Sequence, residues 1–210
     1  MPVTDPFEEH TDRYDEWFQE YEHAYRSELA ALERLVGDPG RGVEIGVGTG
    51  RFAAPLGIEV GVDPSTGMLE RAAERGIEVV GGVAEALPFR SGLFDTALVV
   101  TTICFVDDIA ETLREARRVL APGGRLVVGY VDRESPLGER YEAKKANNPF
   151  YRDATFVSTD ELLEAMESAG FGSFESVQTV FRMPEEMTEP DRVESGRGEG
   201  SFVGLAATAP

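Results

Sequence analysis

Residues Gly42 to Phe52 read "GVEIGVGTGRF", a short hydrophobic run that breaks into three glycines at every second position, Gly46, Gly48 and Gly50. Glycines placed directly after a buried strand let the backbone turn sharply and approach a ligand closely, because no Cβ intervenes. A dinucleotide loop needs the spacing G-x-G-x-x-G, which rests a pyrophosphate on the N-terminus of the next helix. Here Arg51 takes the place of the third glycine in that pattern. Glu44, just before the loop, would sit poorly beside a pyrophosphate and well beside a cationic ligand.

Outward from this loop the chain alternates. Upstream, Tyr14, Trp17, Phe18, Tyr21, Tyr25, Leu29 and Leu32 recur at steps of three or four, which predicts one long or broken amphipathic helix ending near "GDPG". Downstream come a very short helix in "GRFAAPLG", a strand in "IEVGVD", and a helix in "PSTGMLERAAERG" with Ser65 or Thr66 as its cap. "IEVVGG", "LFDTALVVTT" and "GGRLVVGYV" read as further strands, with "DDIAETLREARRVL" as a helix before the last of them. Strands alternating with helices predict an α/β fold with a doubly wound, mostly parallel sheet. Beyond Asp132 the pattern loosens into loop with a short helix. "STDELLEAMESAGF" then restores a helix that Ser158 or Thr159 can cap, and "SFESVQTVF" and "GSFVGLAAT" supply two late strands.

Composition narrows the function classes. The chain has 210 residues and a formal net charge of −19. Only Lys144 and Lys145 are lysines, against eighteen arginines. Phosphate binding draws its affinity from neutralising cations, so nucleic-acid and anionic-membrane partners are disfavoured. No apolar run approaches a membrane span and the first residues are acidic and polar, so the expected location is cytoplasmic. The single cysteine, Cys104, excludes an internal disulfide and a clustered-thiolate zinc site; with no basic neighbour it reads as a small apolar residue. His10 and His23 stand too far apart in sequence to suggest a metal site, and no metal is expected. His23 remains a candidate general base.

Asp63 ends "IEVGVD", 17 residues after Gly46. An acid at the tip of the second strand can accept both hydroxyls of a ribose, or it can cap the next helix. These motifs together resemble the class I S-adenosylmethionine (SAM) dependent methyltransferases, of the small-molecule type whose first motif reads like "VEIGVGTGRF". The resemblance runs from about Val43 to Phe171. It implies a Rossmann-like sheet of seven strands, the last pair including an antiparallel one. It also implies SAM as cofactor, held by Glu44, Gly46, Gly48, Gly50, Asp63, Pro64, Met68, Ala84, Glu85 and Thr101.

"GGVAEALPFRSGLFD" is similar to that family's segment after the third strand, but Val83 stands where an aspartate near the adenine is common. The adenine contact then falls to the backbone around Ala84 and to Glu85, unless Glu85 is a solvated loop acid, while Met68 either packs on the adenine or belongs to the core. "LVVTTICFVDD" should bring Thr101, Thr102 and Phe105 to the methionine part of SAM or to the acceptor. Asp107 and Asp108 would begin the next helix. No "N-P-P-Y"-type segment comes after the fourth strand, which argues against methylation of an exocyclic base nitrogen or a glutamine amide.

The resemblance divides the single domain 1–210 into a helical cap (1–40), a SAM-binding core (41–131), an insert shaping the acceptor pocket (132–157), and a C-terminal helix and strands (158–210). The acceptor side would draw on Tyr14, Trp17, Phe18, Tyr21 and His23, and on Asp132, Arg133, Glu134, Tyr141, Lys144, Lys145 and Tyr151. Trp17 and Phe18 read sooner as core, since an aromatic stripe at helical spacing usually is. Tyr14, His23 and Thr102 are the catalytic candidates, with Tyr14 placed to lie over the SAM carboxylate. "GRGEGSF" reads as a lid loop or as the turn into the last strand.

"VDRESPLGERYE" together with "FYRDATFVSTDELLEAMESAGF" resembles a subgroup labelled as amine methyltransferases, a label too distant to fix the substrate. The expected activity is methyl transfer to a small-molecule acceptor by in-line displacement. Two other readings stay open, a nicotinamide-dependent oxidoreductase and a SAM-binding regulator without turnover.

Overall fold

The computed structural model describes residues 7, 8 and 10–210; most of the acidic stretch that opens the chain lies outside them. Eight strands form one sheet in the order β3-β2-β1-β4-β5-β8-β6-β7. They are β1 (Gly42–Ile45), β2 (Val60–Asp63), β3 (Glu78–Gly81), β4 (Phe94–Val100), β5 (Leu120–Val131), β6 (Gly172–Thr179), β7 (Glu194–Ser195) and β8 (Phe202–Thr208). The first five pair in parallel, whereas β8 is antiparallel to β5 and β6, and β7 is antiparallel to β6. The α/β class and the late antiparallel strands agree with the sequence reading. The strand count is eight rather than seven, because Glu194 and Ser195 of the acidic segment pair briefly with Gln178 and Val177.

The helices are α1 (Thr11–Glu20), α2 (Glu22–Val36), α3 (Thr66–Glu74), α4 (Ile109–Val119), α5 (Pro136–Lys144) and α6 (Thr159–Ser168). The amphipathic N-terminal segment is broken at Tyr21, whose φ of −112° and ψ of 45° leave the helical region. The helix expected in "GRFAAPLG" is a series of turns instead. Pro55 has no N–H to continue a helical ladder, and Ile58 bonds back to Ala53 to close the segment.

Side-chain alternation along the buried strands divides the core into two faces. Val43 and Ile45 of β1 and Ala97 and Val99 of β4 pack with Leu113 of α4 and Met166 of α6. Leu98 and Val100 of β4 pack on the other face with Leu32 of α2, Ala72 of α3 and Phe52. Caps set where the helices start. The Ser65 hydroxyl accepts the Met68 N–H, Asp108 accepts that of Glu111, and Ser158 with Glu161 forms a reciprocal capping box.

Strand order reverses between β1 and β4, the crevice where such sheets bind ligands at the carboxyl ends of their strands. No helix among the described residues is long and apolar enough to cross a membrane.

Candidate active site

The glycine loop turns at that crevice. Gly46, Gly48 and Gly50 all have positive φ, at 73°, 50° and 77°, which side chains with a Cβ rarely adopt. Each has a separate task. A Cβ on Gly46 would collide with Thr102, whose hydroxyl is shared between the carbonyls of Gly46 (3.1 Å) and Val100 (3.0 Å). A Cβ on Gly48 would stand 3.6 Å from the Tyr14 hydroxyl, on the open side of the loop. Gly50 packs instead against Ala72 of α3, and neither it nor Glu44 forms part of the cavity wall.

Asp63 lies at the tip of β2, 9% exposed, and one of its oxygens accepts the Gly48 N–H (2.9 Å). The other accepts the Ser65 N–H (2.9 Å), so Asp63 ties the loop to α3 while Ser65 performs the capping. Each carboxylate oxygen keeps a further acceptor direction. Burial raises the Asp63 carboxyl above its usual range, against the pull of these two N–H bonds.

Above this loop and strand tip a cavity of about 470 Å³ opens. Its near wall holds Gly46, Gly48, Asp63, Pro64, Met68, Ala84, Glu85, Thr101, Thr102 and Phe105 together, with Ser65 and Gly82. Thr101 is held at φ 49° by a 2.7 Å bond from its N–H to Gly129, a left-handed conformation costing a non-glycine residue about 1 kcal/mol. It hydrogen-bonds the Tyr14 side chain, whose hydroxyl is raised in pKa first by burial and then by the Glu44 and Asp63 charges. Glu85 accepts the N–H groups of Asp107 and Asp108, so it also braces the loop after β4.

The far wall comes from α1, α2 and the insert, through Trp17, Phe18, Tyr21, Glu28, Tyr141 and Tyr151. Tyr141 stacks on Tyr151 at 4.8 Å and Trp17 lies 5.4 Å from Tyr21. Arg140 and Glu185 pair with each other on this wall. Of the other insert residues expected here, Asp132 is spent on Thr159 and Glu134, Arg133 pairs with Glu161, and Lys145 pairs with Glu142. Neither Lys144 nor the "GRGEGSF" turn reaches the cavity, and Gln178 holds that turn through the Glu199 and Gly200 N–H groups. His23 is half-buried away from the cavity, with Nδ1 unpartnered.

Glu44 is turned off the cavity by the strand period. Val43 and Ile45 face one core and Glu44 the other, beneath the turns at 50–57, where it accepts the Ala53 N–H. Burial pushes its carboxyl well above the usual range.

Sequence reasoning passed over Asp15 and Glu28. Asp15 of α1 accepts from Thr49 (2.8 Å), Arg51 (2.9 Å) and Arg75 (2.5 Å), clamping the cap helix onto the glycine loop. Burial alone would raise its carboxyl, but hydrogen bonds from Arg51, Thr49 and Arg75 prevail and hold it at about 2. Arg51 also lies over Phe18 at 5.5 Å, which gives the residue in the dinucleotide-glycine position a structural task. No His, Cys, Asp or Glu group able to hold a metal is present among the described residues.

A sheet that reverses order over a G-x-G-x-G loop, with an acid at the tip of β2, is the doubly wound α/β architecture whose relatives hold ligands at this crevice. Residues 43–128 match the model of the methyltransferase domain family. An uncharacterized protein of Methanocaldococcus jannaschii is 43% identical over 203 residues, 96% of this chain and 97% of that protein. A crystal structure from Thermotoga maritima, described as a SAM-dependent methyltransferase and possible histamine N-methyltransferase, is 51% identical. It covers 98% of this chain and 99% of that one, with a TM-score of 0.96. An uncharacterized Mycobacterium tuberculosis protein is 40% identical over 81% of this chain, which spans 61% of that protein. The chain belongs to the class I SAM-dependent methyltransferase family.

Proposed function

We propose that the protein methylates a small-molecule acceptor with SAM, and that it works chiefly by positioning. One observation carries the reading: a single cavity joins the Gly48 and Asp63 wall to a second, aromatic wall formed by α1, α2 and the insert. At the first wall the residues suit SAM. Asp63 retains acceptor capacity for two ribose hydroxyls, and Gly48 presents bare backbone beneath Tyr14. When bound, SAM supplies a methyl group on a sulfonium, a leaving group that needs no protonation.

The protein's own part is then to hold, align and exclude water. Orientation of this kind is worth roughly 7 to 11 kcal/mol of barrier. Tyr14 and Thr101 would orient the methionine portion, Met68 and Ala84 would flank the adenine, and Trp17, Tyr21 and Tyr141 would shield the acceptor. The ten aromatic side chains around the cavity favour a small, partly apolar acceptor over an extended polymer. The net charge of −19 weighs against nucleic acid. The description of the Thermotoga relative as a possible histamine N-methyltransferase is in keeping with a small acceptor.

Calorimetry with S-adenosylhomocysteine (SAH) and a mass-spectrometric methylation screen test the proposal. The expected result is micromolar SAH binding and methyl transfer to at least one small molecule. SAH binding without turnover across a broad panel would favour a regulator, and NAD(H) binding in place of SAH would favour an oxidoreductase.

A further inference from the structure

Glu28 of α2 is 4% exposed, yet its carboxyl lines the cavity. Among the described residues it has no hydrogen bond and no ion pair, although fifteen ion pairs occur elsewhere in the structure. A carboxyl that is nearly buried, opens onto the cavity and has no protein partner is free to pair with what enters there. Around it stand Tyr14 of α1, Tyr25 of its own helix and Tyr141 of α5, the hydroxyl of each raised in pKa mainly by burial and further by Glu28.

The remaining charges on the cavity wall do not neutralise it. They are Glu16 and Glu20 with Arg13 on α1, Asp63 and Glu85 on the opposite wall, and the Arg140 and Glu185 pair. Acids outnumber arginines six to two, and one of the two arginines is already paired. The field in the chamber therefore favours a cation, and the faces of Trp17, Tyr21 and Tyr141 can add cation–π attraction.

We infer that Glu28 is the acceptor-binding residue, that it pairs with a protonated amine, and that it takes the amine's proton before methyl transfer. In that step an N–H bond breaks, its electron pair stays on nitrogen as the attacking lone pair, and the proton forms an O–H bond on Glu28. The proton then leaves to solvent. Burial raises the Glu28 carboxyl to about 8, closer to an alkylammonium at about 10 than an ordinary glutamate would be. A bound ammonium would draw that value down again, so the carboxyl's own proton is released as the pair forms. This inference rests on the methyltransferase reading for its chemistry, but the binding of the cation can be measured without it.

Titration calorimetry on the full chain, with and without saturating SAH, would use 2-phenylethylamine and other amines from methylamine to spermidine, with neutral 2-phenylethanol as control. Wild type should bind at least one amine about tenfold or more tightly than its neutral analogue, with proton release near pH 7 visible as a dependence on buffer ionisation enthalpy. Glu28→Gln should lose both the preference and the proton release while binding SAH as wild type does, and Glu28→Asp should recover part of the preference. Unchanged amine preference in Glu28→Gln, or no amine binding in wild type, overturns the inference. Absence of SAH binding would sink the cofactor assignment instead, and the SAH-free titrations would still report on Glu28.

Discussion

At the Asp63 end of the cavity, side-chain oxygens are satisfied by backbone groups of the glycine loop and of the turn after β2. Asp63 accepts from Gly48 and Ser65, Thr102 donates to Gly46, and the loop has no room for an added methyl at Gly46. At the Glu28 end, side chains from α1, α2 and α5 meet around a carboxyl that nothing in the described chain pairs with. The first end is a rigid fixture, its acid and hydroxyl held by backbone. The second is an aromatic chamber that also carries Glu16, Glu20, Arg140 and Glu185, assembled from segments far apart in sequence.

The largest expected effect lies at the rigid end. Gly46→Ala forces a Cβ onto Thr102 at a positive φ, so thermal unfolding should show a loss of about 2 to 4 kcal/mol, and SAH binding should fall below detection. A variant that melts and binds like wild type would remove the contrast between the two ends. Next comes Asp63→Ala, for which calorimetry should record at least a tenfold weaker SAH affinity, about 1.4 kcal/mol. Unchanged affinity would displace Asp63 from the site.

The clamp between the two ends is sharpened by acid. Asp15 has a folded pKa of about 2, depressed from its ordinary 3.8, so its contribution is full above 3.8 and is lost as pH falls through 2. Trp17, the single tryptophan, sits two residues away and reports the event by fluorescence. Asp15→Asn should show at pH 7 the emission that wild type reaches only in acid.

Glu28 has the opposite sign. Its folded pKa of about 8 is raised from 4.5, so the native state holds a proton that the unfolded chain has released, and stability falls as pH rises from 4.5 towards 8. Glu28→Gln should flatten that slope and melt higher than wild type at pH 9, on the order of a few degrees. A slope preserved in the variant would assign it to another group. The smallest effect is reserved for Ser158→Ala, remote from both ends. Loss of its capping box should cost about 1 kcal/mol in denaturant unfolding and leave SAH affinity alone.

Legibility in sequence has the same division. The G-x-G-x-G loop and the helix caps at Ser65 and Ser158 could be read because their signals lie within a few residues of the atoms they act on, and Asp63 because a strand tip marks it, although its Gly48 partner is 15 residues away. Glu44 was legible as an acid beside the loop, but strand alternation, together with the turns at 50–57, aims it into the core. Glu28 gave no signal at all. In an amphipathic helix rich in charge, one more glutamate looks solvated, and only the closing of α1 and α5 over α2 buries it.

The alternation of strands and helices, the class of sheet and the nature of the glycine loop were therefore determined by the sequence itself, since period, turn chemistry and Cβ-free positions act over short range. The eighth strand, the Asp15 clamp and the unpaired carboxyl in the cavity were decided by tertiary structure alone. Asp15 meets Arg51 and Arg75 across 36 and 60 residues, and no local propensity fixes which charges such packing will bring together or leave unpaired.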